Sequence, residues 1–425
     1  MQARAGGGQL RVAYLVYRGN PRCGGQGVYS RHLTRELVQL GHEVTVFSGP
    51  PYPELDEGVG FVQVPSLDLY REPDPFRVPR PKEFTSSIDA LEFALMCTAG
   101  FPEPRTFTLR ARRLLAGQRD RFDLVHDNQS LGSGLLGMMR DGWPLMATIH
   151  HPITVDRRLD LDHAPTIRKR LTLRRWYGFV KMQMRVARKI PRILTVSESS
   201  CGDIAEQLGV ERSRMSVVPV GVEEQVFRPH PEIAKVPGRM MTTASADVPM
   251  KGLVPLLEAL AKVRTEREDV HLIVIGRVKE GSRVPDVMER LGLGEAVRFV
   301  SGISDDELAR WYASAELAIV PSLYEGFSLP AIEAMSCGVP LVATTGGALP
   351  EVVGRDGETG LLVEPNDPGA LAVAILRALG DAELRARLGA AGRRRTIERF
   401  TWPVTAKTTA EQYSALLEQH PRQPR

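Results

Sequence analysis

Two glutamates, Glu325 and Glu333, are separated by seven residues in PSLYEGFSLPAIEAMSCGVPLVAT, residues 321–344. Pro330 stands where a first helical turn tolerates proline, and Gly338 where a helix end favours glycine. The stretch therefore reads as strand, turn, short helix, strand, with Glu325 in the turn and Glu333 on the helix. First-turn N–H groups have no partners inside their own helix, which makes them a ready site for a phosphate. An isolated pair at this spacing is more often two solvated glutamates on an ordinary strand-helix-strand unit. Here the neighbouring residues carry the chemistry further.

Other groups able to do chemistry stand at the ends of predicted strands. His150 closes PLMATIH, followed at once by His151, and His126-Asp127-Asn128 closes another apolar run. Arg277 follows Gly276 after HLIVIG, and in open α/β sheets the carboxyl ends of strands are where ligands sit. Lys251 precedes Gly252 at a helix start in TTASADVPMKGL. Cys23-Gly24-Gly25-Gln26-Gly27 follows the first strand and opens a helix, so its backbone can approach a phosphate or sugar closely. It is not G-x-G-x-x-G, and Phe47-Ser48-Gly49 ends the second strand without an acidic residue, which disfavours a dinucleotide.

The elements that must hold these residues alternate. Apolar runs at Val12–Tyr17, Val44–Phe47, Leu124–His126, Leu145–Ile149, Ile193–Val196, Leu272–Ile275, Leu317–Val320 and Pro340–Ala343 are continuous rather than alternating, as in parallel strands covered on both faces. Helical patterns such as Val28–Leu40, Leu253–Val263 and Asp305–Ala313 lie between strands, which is the arithmetic of βαβ units. A proline-rich break at residues 219–238 starts a second series, and 425 residues exceed what one core serves. The expected fold is thus α/β with two domains, 1–220 and 221–400, followed by a helix and tail over 401–425. Residues 51–120 fit the alternation poorly, with prolines at 73–81 and 102–104, and read as an insertion carrying a helix near Ile88–Met96.

Composition bounds the rest. The content is 43% hydrophobic and 25% charged, that of a soluble globular protein. The start, MQARAGGGQL, has no apolar signal core, and no run approaches the 18 residues a spanning helix needs. Cys23, Cys97, Cys201 and Cys337 are far apart and suit a reducing cytoplasm. No His or Cys spacing is that of a metal site, no cofactor is expected, and no nucleic-acid-binding module is visible. Charge is uneven. Residues 1–220 hold 31 Lys+Arg against 23 Asp+Glu, and residues 221–425 hold 24 against 28. Residues 168–192 contain ten basic residues and no acidic one, interleaved with Trp176, Tyr177 and Phe179. Either they form an interfacial helix at an anionic membrane or a long helix that packs its aromatics on the first domain.

The full pattern of residues 321–344, with the strand-helix alternation from LRVAYLV onward to a last helix ending near Leu417, resembles the retaining glycosyltransferases of family 4 (group 1). That resemblance implies a GT-B fold, two Rossmann-like parallel-sheet domains facing across a cleft, with the final helix crossing back onto the first. It implies a nucleotide-sugar donor, a UDP-sugar by the habit of the family, and transfer of a hexose to an acceptor hydroxyl with retained configuration and no metal. Among the residues, it implies catalytic roles for His150, Lys251 and Glu325. Donor contacts would come from Gly25, Gly27, Lys251, Arg277, Ile303, Glu325, Phe327, Ser328, Leu329 and Glu333, the last on the ribose. Acceptor contacts would come from Gln26, Asn128 and His151. The family's arginine five residues before the lysine is replaced here by Ala246, and Arg22 and Arg277 are the candidates to substitute for it. The alternatives are a GT-B epimerase or phosphorylase, or a nucleotide-sugar-binding protein that lost turnover. The acceptor stays unidentified, lipid-linked if the cytoplasmic enzyme works at the inner face of a membrane.

Overall fold

The computed structural model describes residues 8–20, 25–162, 164, 166–244, 248–278 and 281–420. Arg22, Cys23, Gly24 and Ala246, named above, lie outside them. The chain forms two compact units. The first comprises residues 1–196, 200–218 and 405–425, and the second residues 197–199 and 219–404.

The first unit is built on seven parallel strands. They are β1 (Arg11–Val16), β2 (Glu43–Ser48), β3 (Gly60–Gln63), β4 (Leu124–Asn128), β5 (Leu145–Thr148), β6 (Arg192–Thr195) and β7 (Met215–Val217). Their order across the sheet is β3-β2-β1-β4-β5-β6-β7. The chain therefore reverses direction of growth between β1 and β4, the point at which open α/β sheets leave a crevice. Every residue of β4 and β5 is buried, which explains why those runs show no alternation. The second unit repeats the plan with β8 (Arg239–Thr243), β9 (His271–Ile275), β10 (Val297–Val300), β11 (Leu317–Val320), β12 (Leu341–Thr344) and β13 (Leu361–Val363), ordered β10-β9-β8-β11-β12-β13. Its sheet is covered on both faces. Leu256, Leu260 and Ile375 belong to one apolar cluster, and Tyr312, Ile332 and Met335 to another. These are the two Rossmann-like domains of the GT-B fold.

Two stretches differ from the sequence reading. Residues 51–120 are not an add-on throughout. β3 pairs with β2 through Thr45 and Gly60 to extend the sheet, and the helix Glu103–Leu115 places Phe107, Ala111 and Leu115 in the core. The true excursion is the segment between them, with its helix at Ser87–Cys97. Residues 168–192 are two helices, Ile167–Trp176 and Phe179–Ala187, with Gly178 between. The second is packed through Val180, Met182, Val186 and Ala187, while the first buries none of its residues. Trp176 instead meets Tyr70, Phe76 and Phe101 with ring centroids 5.0–6.2 Å apart, and Phe179 meets Phe101 at 5.3 Å. The aromatics thus serve the first unit itself. No helix among the described residues is long and apolar enough to cross a membrane. The last helix, Trp402–Gln419, belongs to the first unit from Thr405 onward, where Tyr413 Oη lies 2.7 Å from Nδ1 of the buried His126.

Candidate active site

In the second unit, Lys251 and Glu325 are brought together by strand order rather than by sequence. β8 and β11 are parallel neighbours, with Met240 opposite Leu317, so the segments leaving their carboxyl ends emerge side by side. Lys251 sits in a short helical turn, Pro249–Lys251, after β8, and Glu325 in the turn after β11. The Met250 carbonyl accepts from the Leu323 amide at 2.7 Å and ties the two segments. Two glycines permit the approach. Gly252 has φ +68°, and a Cβ on it would lie 1.9 Å from the Pro321 carbonyl oxygen. Gly347 has φ +63°, and its Cβ would lie 2.3 Å from the Glu325 carbonyl oxygen. No side chain fits at either place.

The outcome is an ion pair, Lys251 Nζ to Glu325 Oε1, at 2.8 Å. Ser322 Oγ donates to the same Oε1 at 2.7 Å. The glutamate side chain is 8% exposed and the lysine 33%, so the carboxylate is held within the turn while the ammonium reaches solvent. An ammonium has three donors, and Glu325 uses one.

Downstream, Ser328 caps the helix Leu329–Ser336, its Oγ accepting from the Ala331 amide at 3.4 Å. Pro330 falls in the first turn, and Gly338 takes φ +69° just past the end, as the sequence pattern requires. Leu329 is exposed at the helix start, and the half-buried Phe327 turns its ring toward Phe400, 5.9 Å away. Glu333, one turn into the helix, has Tyr312 Oη as a donor at 3.4 Å. Burial, reinforced by the charge of Asp305, pushes its carboxyl up to about 7, so it takes up its proton near neutrality. Arg277 lies exposed two residues past β9, and Ile303 half-buried three residues past β10. All the donor candidates of this unit therefore lie at or beyond the carboxyl ends of β8 to β11.

The first unit gathers the remaining candidates. Gly25, Gln26 and Gly27 open the helix Gly25–Gln39. Gly27 is required by the chain itself, since a Cβ there would lie 1.8 Å from the Asn20 carbonyl oxygen. Asn128 is the last residue of β4, and His150 and His151 lie just past β5. Asn128 Oδ1 accepts from His150 Nε2 at 2.9 Å, and its Nδ2 donates to Ser30 Oγ at 2.9 Å and to the Gln26 carbonyl at 3.3 Å. The Tyr29 ring stands edge-on to His150 with centroids 4.6 Å apart. Burial, with the charge of His151 second, pushes the His150 imidazole down to about 3, so it is neutral throughout the physiological range. Asn128 thus spends its amide on His150 and the helix start, and the backbone carbonyl of Gln26 is part of that network. His151 is exposed, and its carbonyl accepts from Gln129 Nε2 at 2.7 Å.

Ser322, Gln129, Ser30 and Tyr312 carry no sequence signal for these positions. They are revealed by what they bond. No group of three or more His, Cys, Asp or Glu suited to a metal ion occurs among the described residues.

Comparison with known proteins agrees along most of the chain. The family described as "Glycosyl transferases group 1" matches residues 232–395, and that described as "Glycosyltransferase Family 4" matches residues 23–226. A curated relative, the MMP alpha-(1->4)-mannosyltransferase of Mycolicibacterium hassiacum, is 53% identical over 405 residues, covering 95% of this chain and 98% of its own. Among solved structures, sucrose-phosphate synthase from Thermosynechococcus elongatus has a TM-score of 0.71 at 23% identity, covering 97% of this chain and 100% of its own. The Anabaena protein Alr3699/HepE, solved with UDP and glucose, has a TM-score of 0.67 at 18% identity, covering 96% and 100%.

Proposed function

Because this chain belongs to the group 1 glycosyltransferases of family 4, we propose that it moves an α-mannosyl group from a nucleoside-diphosphate mannose to the 4-hydroxyl of a saccharide acceptor. Configuration is retained and no metal ion takes part. The observation that carries the reading is the Lys251–Glu325 pair at the carboxyl ends of β8 and β11. The mannosyl group and the 4-hydroxyl follow the activity of the Mycolicibacterium relative. Mannose is ordinarily activated on guanosine, so guanosine takes precedence over the uridine that the family's habit suggests.

Lys251 neutralises the charge that grows on the leaving diphosphate, with the first-turn N–H groups of Leu329–Ser336 alongside. In the second unit Glu325 holds the transferred sugar and Glu333 the ribose; in the first unit His150 binds a substrate hydroxyl. His150 is neutral, so it binds rather than moves a proton. The leaving phosphate and the attacking hydroxyl share one face of the sugar, and no covalent intermediate forms. The test is a donor panel of GDP-mannose, UDP-glucose and UDP-N-acetylglucosamine with a manno-oligosaccharide acceptor, run with and without a strong chelator. GDP-mannose should give an α-linked product by NMR at the same rate in both. Nucleotide release from none of the donors would leave the reading of a binding protein without turnover. A β-linked product, or loss that magnesium restores, would sink retention or metal independence respectively.

We propose further that the first unit works at an anionic surface. The helix Ile167–Trp176 exposes Ile167 (81%) and Leu171 (57%) one turn apart, among Arg168, Lys169, Arg170, Arg174 and Arg175. Each cation near an acidic membrane contributes about 1 kcal/mol of attraction. That attraction fades as the Debye length shortens from about 10 Å at 0.1 M salt to about 3 Å at 1 M. Vesicles rich in acidic lipid should pull the protein down at low salt, neutral vesicles should not, and glutamine at Arg174, Arg175 and Lys181 should weaken the binding. Equal sedimentation with both kinds of vesicle would remove the case for a membrane.

A further inference from the structure

Asn128 ends β4 and Gln129 follows it directly, and the two have different tasks on the same neighbour. We propose that they form a two-point clamp on His150. Asn128 fixes the ring as the Nε2–H tautomer, Gln129 fixes the backbone that carries it, and the ring presents Nδ1 as a pure acceptor for a sugar hydroxyl of the substrate. Only the identity of that hydroxyl rests on the function proposed above.

The assignment of protons follows from groups that have one role each. The Gln26 carbonyl can only accept, and it lies 3.3 Å from one terminal atom of the Asn128 amide. Ser30 Oγ gives its own proton to that carbonyl at 2.6 Å, so toward Asn128, 2.9 Å away, it offers a lone pair. Both neighbours demand the NH2 end of the amide, which turns Oδ1 toward His150 Nε2 at 2.9 Å. Oδ1 cannot donate, so Nε2 carries the proton and Nδ1 keeps its lone pair.

Gln129 supports the same residue through its backbone. Its Oε1 accepts from the His150 amide at 2.7 Å, and its Nε2 donates to the His151 carbonyl at 2.7 Å. Gln129 is 2% exposed and sits at φ +55°, a left-handed conformation that glutamine rarely adopts. Such a conformation persists where surrounding bonds over-determine it, and these clusters are characteristic of functional sites. The titratable groups around the ring are His126 on β4, Tyr29 from the helix Gly25–Gln39, and His151 next in the chain. The Asp127 carboxylate is turned away, accepting from the Ser130 hydroxyl and the Leu131 amide at 2.9 Å. None of them competes with Asn128 for Nε2.

The experiment reads the ring directly, without substrate, in the full-length protein labelled with 15N-histidine. The His150 signals are identified by their loss in His150→Gln. The expected spectrum has a protonated Nε2 and an acceptor-type Nδ1, unchanged from pH 5 to 8. In Asn128→Asp a carboxylate replaces Oδ1 and favours imidazolium, so the ring should titrate within that range. Transfer should then fall as pH drops through the new pKa, where the wild type stays flat. Asn128→Ala should show mixed tautomers and lower kcat/KM on the order of 10-fold, as at histidines that lose an orienting partner. A proton on Nδ1 in the wild type overturns the clamp. So does an Asn128→Asp spectrum and pH profile identical to wild type, with folding verified by circular dichroism. The expected tautomer with transfer unchanged in both variants overturns the sugar contact alone. Failure of the proposed transfer itself shows separately, as no wild-type turnover with any donor, and leaves the tautomer spectrum as the test of the clamp.

Discussion

Glu325→Gln should lower transfer by about two to three orders of magnitude, the loss typical of removing one preorganised electrostatic contact at the reacting centre. The two side chains are nearly isosteric. Ser322 Oγ, 2.7 Å from Oε1, can donate to an amide oxygen as it does to a carboxylate. What disappears is the negative charge 2.8 Å from Lys251 and a strong acceptor for sugar hydroxyls. The fold should tolerate this. Lys251 is a third exposed and is rehydrated when its partner goes, so the cost is on the order of 1 kcal/mol or less, a shift of a few degrees in Tm. Nucleotide binding should survive within a few-fold, because Glu333 and Lys251 remain. The measurement is kcat at saturating donor and acceptor beside a thermal melt and nucleotide titration. A variant that is folded, binds nucleotide and turns over near the wild-type rate would refute the donor-site assignment.

Glu325 was legible in the sequence because its chemistry is written in a contiguous run, and local rules place each part of that run. Pro330 and Gly338 bound the helix from inside the pattern. The ion pair itself was not legible. Lys251 lies 74 residues upstream, and β9 and β10, which follow it in sequence, pair on the other side of β8. Only the sheet order makes β11 its neighbour. Gln129 was invisible for another reason: a left-handed glutamine has no sequence signature, and its meaning appears only in the two backbone groups it bonds. Buried central strands such as β4, β5 and β11 announced themselves as continuous apolar runs. Edge strands did not. β3 is half-exposed with no apolar run, and β7 and β13 are three residues each. That is why residues 51–120 read as an insertion although two of their elements belong to the core. Of the two readings left open for residues 168–192, the rings of Trp176 and Phe179 follow the packed one, meeting Tyr70, Phe76 and Phe101, while the basic face beside them stays exposed.

Lys251→Ala should also cost about two to three orders of magnitude in kcat, since a cation near the leaving diphosphate matters most where charge develops. Its effect should fall on turnover more than on donor affinity, because stabilisation confined to the transition state appears in kcat, whereas uniform binding appears in KM. The decisive comparison is the double variant. If Lys251 and Glu325 acted independently, Lys251→Ala with Glu325→Gln would multiply the two losses, to roughly four to six orders of magnitude. The geometry argues against independence. Among the described residues Glu325 takes two side-chain donors, Lys251 and Ser322, both on Oε1, so alanine at 251 removes a cation and also one of the bonds that orient the carboxylate. Each single change therefore damages the other residue's contribution. The double variant should fall little below the worse single one, as for groups that act as a unit. Multiplicative losses in this cycle would mean that the pair is a neighbourly contact without functional coupling. A rise in donor KM at unchanged kcat would make Lys251 a simple anchor for the diphosphate.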